Sequence, residues 1–132
     1  MEITKFDKVI KVGYSGVEDF YDKMLWFMSP LTGLRKKERK ILSYILSIKN
    51  EWESRGMSRE TIKRDLLKTK GVDMVAERFG LSSDYVRTII SAYKREGIII
   101  DDEINPRLLF ADPRPAASCR LCIILENEDH DA

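Results

Sequence analysis

No uncharged apolar run in this chain approaches the ~18–20 residues that crossing a bilayer requires, so a membrane-spanning protein is not expected. The opening residues, Met1-Glu2-Ile3-Thr4-Lys5, place charges where a secretory signal would place apolar side chains, and cytoplasm is the expected compartment. Cysteine is scarce: Cys119 and Cys122 are too few for a disulfide framework, which fits a reducing environment. Their Cys119-Arg120-Leu121-Cys122 spacing is half a zinc site, but no second pair exists, so four ligands cannot be found and no metal or other cofactor is expected. The neighbours Leu121, Ile123, Ile124 and Leu125 suggest a strand, on which the two thiols point to opposite faces. The single histidine, His130, lies in an acidic end. With no glycine-rich phosphate loop and no nucleophile elbow either, little remains from which to build a catalytic site, and the chain is read as a non-enzyme.

What is present is enough for one globular domain. The 132 residues are 43% hydrophobic and 34% charged, which permits a real core and excludes collagen-like and low-complexity chains. The net charge is only +1, yet its distribution is uneven. Residues 1–33 sum to −1, residues 34–95 to +8 and residues 96–132 to −6. A basic middle with an acidic end is one footprint of a nucleic-acid binder; charged solvated helix faces are the other explanation.

Along the chain, Ile3 to Val12 is rich in β-branched residues and reads as a short strand or extended arm. Ser15 and Glu18 form a capping-box pattern that should start a helix. Val17, Phe20, Tyr21, Met24, Leu25 and Met28 give it one apolar stripe, with Asp19, Asp22 and Lys23 toward water and Pro30 ending it. Thr32 can cap the longest helix, whose apolar positions Leu34, Ile41, Leu42, Ile45, Leu46, Ile48 and Trp52 run to about Glu53. Its first turns carry Arg35, Lys36, Lys37, Arg39 and Lys40, near a helix N-terminus where the dipole disfavours cations; an anionic partner would account for them. Gly56 breaks the chain, Ser58 caps a short helix to about Lys68 with a Met57–Ile62 staple, and Gly71 separates that helix from the next.

The segment Val72 to Ser91 reads as helix, turn, helix. Ala76 is small where two crossing helices approach, Gly80 four residues on supplies a positive φ, and Leu81 plugs the angle. Ser82 or Ser83 caps the second helix, while Val75, Phe79, Val86, Ile89 and Ile90 form the core side. This spacing is that of the DNA-binding helix-turn-helix. The outward face then presents Ser82, Ser83, Asp84, Arg87, Thr88, Ser91, Lys94 and Arg95. Arg87 suits bidentate recognition of guanine, Ser83 and Thr88 base edges or phosphates, and Lys94 and Arg95 backbone charge. Asp84 can accept from cytosine or exclude a wrong site. Tyr85 and Tyr93 are expected to brace the core edge. Gly97 should end the helix, and Ile98–Ile100, Asp101-Asp102 and Glu103–Asn105 form a short two-stranded wing whose acidic tip is expected to stay off phosphate.

The ordered pieces KVIKV, FYDKMLWFM, LTGLRKKERKILSYIL, the helix-turn-helix, KREGIII and INPRLLF, covering residues 6–110, resemble winged-helix proteins of plasmid and phage origin typified by RepL-type replication initiators. The stretch SSDYVRTI also looks like the last DNA-binding region of sigma factors. The resemblance implies a mainly α winged helix-turn-helix with a short wing, an N-terminal helix and flanking extended segments. It implies double-stranded DNA binding, in replication initiation or transcription regulation, with a truncated wing and an added C-terminus as departures. Residues 1–30 are assigned to an N-terminal arm and helix, 31–110 to the winged domain, and 111–132 to a linker, C-terminal strand and acidic tail. A homodimer is expected, because one such helix reads few base pairs. The competing function is a phage structural or adaptor protein, in which the winged helix and the C-terminal strand bind a protein partner.

Overall fold

The computed structural model of the protein describes residues 12–109 and 113. Over these residues the fold is mainly helical, with one small two-stranded antiparallel sheet. The elements are α1 (Gly16–Phe27), α2 (Ser29–Thr32), α3 (Lys36–Ser54), α4 (Arg59–Asp65), α5 (Thr69–Phe79), α6 (Ser83–Arg95), β1 (Ile99–Ile100) and β2 (Glu103–Ile104), followed by a 3₁₀ turn over Pro106–Leu108. The expected strand at Ile3 and the C-terminal strand with Cys119, Cys122 and His130 lie outside the described residues.

Helix α3 is the axis of the core. Its stripe Ile41, Leu42, Ile45, Leu46, Ile48 and Trp52 is buried and is covered by α1 on one side and by α4 and α5 on another. Each fully buried aliphatic side chain in this layer contributes roughly 1.5–3 kcal/mol relative to exposure. Leu25 and Met24 of α1, Val72 and Val75 of α5, and Val86, Ile89, Ile90 and Tyr93 of α6 complete the same core. Ile98, Ile99, Ile104 and Leu108 extend it under the sheet.

The start of α1 differs from the capping-box expectation. Ser15 is the N-cap residue but its hydroxyl makes no cap bond; its backbone N–H instead donates to Asp19 Oδ2 at 2.9 Å. Glu18 turns away to meet Arg78 of α5 at 3.0 Å. Asp22, expected in water, is buried at 5% exposure and receives Arg39 Nε at 2.8 Å and Lys40 Nζ at 2.6 Å from α3. That internal anion explains two of the cations at the start of α3. A charge is tolerated in such a place only when paired and hydrogen-bonded.

Pro30 does not itself end α1, which stops at Phe27; the proline lies in the first turn of α2, where its missing N–H has no helical partner to lose. Thr32 closes α2 instead of opening α3, and Gly33 follows at φ +65°. Helix α3 starts at Lys36, with Glu38 Oε1 accepting from the backbone N–H of Arg35 at 3.0 Å. An arginine offers no side-chain acceptor, so this half of the box stands alone.

Gly71 is not a separator. It is buried inside α5, and a Cβ there would meet the carbonyl oxygen of Leu66 at 1.6 Å. The short helix α4 accordingly ends at Asp65 and not near Lys68, and α5 opens at Thr69. Gly71 lets the start of α5 press against the backbone just beyond α4. The Ser58 cap is present as expected, its Oγ accepting from Thr61 N–H at 3.2 Å, with Ile62 buried.

Candidate nucleic-acid interface

Helices α5 and α6 are joined by three residues whose local chemistry sets their angle. Gly80 lies at φ +65°, a conformation that other L-residues enter at a cost of about 1–2 kcal/mol. Leu81 N–H then donates to Ala76 C=O at 2.9 Å, a carbonyl that also accepts from the Gly80 N–H, and the two bonds close the end of α5. Of the two candidate caps, Ser82 is the one used: its Oγ accepts from Tyr85 N–H at 3.1 Å. Helix α6 therefore starts at Ser83.

The two sides of α6 are chemically opposite. Val86, Ile89, Ile90 and Tyr93 are buried, and Tyr93 is fully so, its hydroxyl donating to the Glu38 C=O of α3 at 2.5 Å. Burial pushes this phenol's pKa far above its ordinary value. On the other side Asp84, Arg87, Thr88, Ser91, Lys94 and Arg95 are exposed, at i, i+3, i+4 and i+7 spacings that place them in one stripe. Asp84 is 98% exposed and lies 3.7 Å from Arg87, which is 51% exposed, so their mutual attraction is weak and screened. Thr88 Oγ1 donates to Asp84 C=O at 3.1 Å, and half-buried Ser83 donates to Asp73 at 3.3 Å. Ser82 is exposed, though its acceptor is committed to the cap. Lys94 and Arg95 stand in the last turn, where the helix dipole favours cations with or without a ligand. Arg87, in mid-helix, has no such reason.

The cations at the start of α3 divide into two groups. Arg39 and Lys40 are committed to Asp22, whereas Arg35, Lys36 and Lys37 are exposed. Lys37 Nζ stands 4.6 Å above the Tyr85 ring, a cation–π contact that joins the N-terminal ends of α3 and α6. Tyr85 is thus half-exposed at the site and does not brace the core edge as Tyr93 does.

A shallow open cleft of about 340 Å³ lies between the α4–α5 junction and α6, lined by Leu67, Lys68, Thr69, Arg87, Ile90, Ser91 and Lys94. Lys68 and Thr69 are not legible as site residues in the sequence, because taking Gly71 as a break hides the point where α5 begins. The turn between β1 and β2 faces the same cleft. Asp101 and Asp102 both take positive φ, 54° and 61°, in a two-residue hairpin that pairs Ile100 with Glu103. Asp102 lies 3.7 Å from Lys94 and 4.0 Å from Lys68. Glu103 accepts both Nε and Nη2 of Arg59 at 2.7 Å, and that bidentate contact holds its carboxyl below the ordinary range. Asn105 ties the end of β2 back through Nδ2 to Gly97 C=O at 3.0 Å. The acidic hairpin is drawn onto the helices by their own cations.

No family model, no curated protein and no solved structure matches this chain.

Proposed function

We propose that the protein is a winged helix-turn-helix module that binds double-stranded DNA, with α6 as the reading helix and the β1–β2 hairpin as a short wing. The observation that carries this reading is the α6 stripe from Asp84 to Arg95, exposed along its length and flanked by Lys37 and Lys68 from other elements. An α-helix fits the major groove, where Arg87 can meet guanine O6 and N7 and Thr88 or Ser91 a base edge, while Lys94, Arg95, Lys36 and Lys37 meet phosphate. The resemblance to replication initiators of plasmids and phages supports a role in replication initiation or transcription control. Two copies reading half-sites about 34 Å apart would supply the sequence length that one helix lacks.

The test is a fluorescence-anisotropy titration with mixed-sequence duplex at several salt concentrations. Each neutralised phosphate contributes about −0.9 to the slope of log affinity against log salt, so three to five contacts predict roughly −3 to −4.5. Absence of binding at low salt overturns the reading. In that event the adaptor function gains, and one observation favours it: Trp26 at 54%, Phe27 at 39% and Leu31 at 80% exposure form an apolar corner where α1 meets α2.

A further inference from the structure

We infer that Asp102 is a built-in competitor for nucleic-acid phosphate: duplex DNA must displace its carboxylate from Lys68 and Lys94 before the cleft beside α6 can bind the backbone. This rests on the DNA-binding reading above. Lys68 comes from the α4–α5 junction and Lys94 from the last turn of α6, and they converge on one acceptor at 4.0 and 3.7 Å. All three side chains keep substantial exposure, Lys68 at 60%, Lys94 at 52% and Asp102 at 43%, so these are pairs open to exchange and not a sealed structural bridge. Thr69, Arg87 and Ser91 line the same cleft. A phosphate entering there finds Lys68, Lys94 and the Thr69 hydroxyl, with Arg87 and Ser91 beside them for the bases, and a single carboxylate already occupying part of the cationic surface. Exposed pairs at such distances are individually weak, and for that reason a ligand bearing several phosphates can displace the carboxylate. Weak competition acts on every sequence alike. It lowers affinity for random duplex, where phosphate contacts are all there is, and is offset on a preferred site by base contacts from α6.

The neighbouring Asp101 is an internal control. It carries the same charge in the same turn, is exposed, and among the described residues forms no ion pair that the geometry shows. Both positions have positive φ, a conformation that asparagine accepts readily, so Asp102→Asn and Asp101→Asn each remove one charge and keep the hairpin. Anisotropy titrations of random duplex at a series of salt concentrations compare wild type, both single variants, and Asp102→Asn combined with Lys68→Ala and Lys94→Ala; thermal melting checks that each is folded. The expected result is that Asp102→Asn tightens binding by about 3–10-fold and steepens the salt slope by up to about one phosphate's worth, whereas Asp101→Asn changes affinity less than about twofold. Removing both lysines should abolish the gain. Equal gains for the two aspartate variants would mean only a general charge effect and would overturn the inference, as would no gain for Asp102→Asn in a wild type that binds. If no variant binds duplex, the DNA-binding reading falls and the inference with it.

Discussion

Replacing Gly71 by alanine should destabilise the fold, although the same change at most helical positions does the opposite. Inside a helix, alanine is favoured over glycine by about 1 kcal/mol. At Gly71 the added Cβ would lie 1.6 Å from the Leu66 carbonyl oxygen and 2.5 Å from its carbon, against the 3.0 Å below which real Cβ contacts essentially do not occur. Relief needs a separation of 3.0 − 1.6, or about 1.4 Å, and the neighbour is backbone, which cannot rotate aside as a side chain can. The start of α5 would have to lift from the α4–α5 junction, disturbing Leu66, Leu67 and Val72, all buried. Overpacking of this kind costs typically ~1–3 kcal/mol and sometimes more, and the rigid neighbour puts the expectation at the upper end. After the helix-propensity gain, a net loss of about 2 kcal/mol remains, a large part of the ~5–15 kcal/mol that holds a small domain together. Urea unfolding followed by far-ultraviolet circular dichroism reads this as a lower midpoint at unchanged slope. A Gly71→Ala protein as stable as wild type, or more so, would refute the close approach and restore Gly71 to the role of a chain break.

Asp22→Asn should cost about 2–3 kcal/mol, less than a fully sealed ion pair because Lys40 reaches solvent. Burial raises the pKa of the Asp22 carboxyl, but hydrogen bonds from Lys40 and Arg39 outweigh it and leave the folded value below the ordinary one. Its stabilisation is therefore complete above the unfolded-state pKa and lost as pH falls through the folded one, so the gap between wild type and variant should close below about pH 4. A gap that persists undiminished in acid counts against the pairing. Tyr93→Phe removes the hydroxyl donated to Glu38 C=O and should lower stability by about 1 kcal/mol in chemical denaturation, with a null effect speaking against that bond. Arg87→Ala should relax base preference by ~1–3 kcal/mol at one position, measured with a panel of single-base operator variants once a bound site is selected. Lys94→Ala should instead weaken all duplexes alike; equal losses for both variants on specific and random DNA would contradict that division.

The parts of this fold legible in the sequence are those decided by near neighbours in the chain. Gly80, Leu81, Ser82 and the Val86, Ile89, Ile90 stripe act within one or two helical turns, and the pattern alone carries the α5–α6 pair, the exposed stripe of α6 and the hairpin at Asp101-Asp102. The illegible parts depend on partners far along the chain. Asp22 looks like an exposed helix residue until Arg39 and Lys40, 17 and 18 positions on, turn to face it. Glu18 and Arg78 are 60 positions apart, and that pair dissolves the expected capping box. Gly71 is illegible for another reason, since one residue type serves both for chain breaks and for close backbone approach, and only the position of Leu66 distinguishes them. The same ambiguity hides Lys68 and Thr69, and with them the cleft whose two lysines Asp102 approaches.

Backbone amide shifts of the isotope-labelled full chain, recorded as mixed-sequence duplex is added at low salt, test the central claim most directly. If the outward side of α6 meets DNA, the largest changes should fall at Ser83, Arg87, Thr88 and Ser91, with Lys37 and Lys68 as a second group and the amides around Leu25 and Ile45 unmoved. Changes concentrated at Trp26, Phe27 and Leu31, or none at all with duplex in excess, would contradict it.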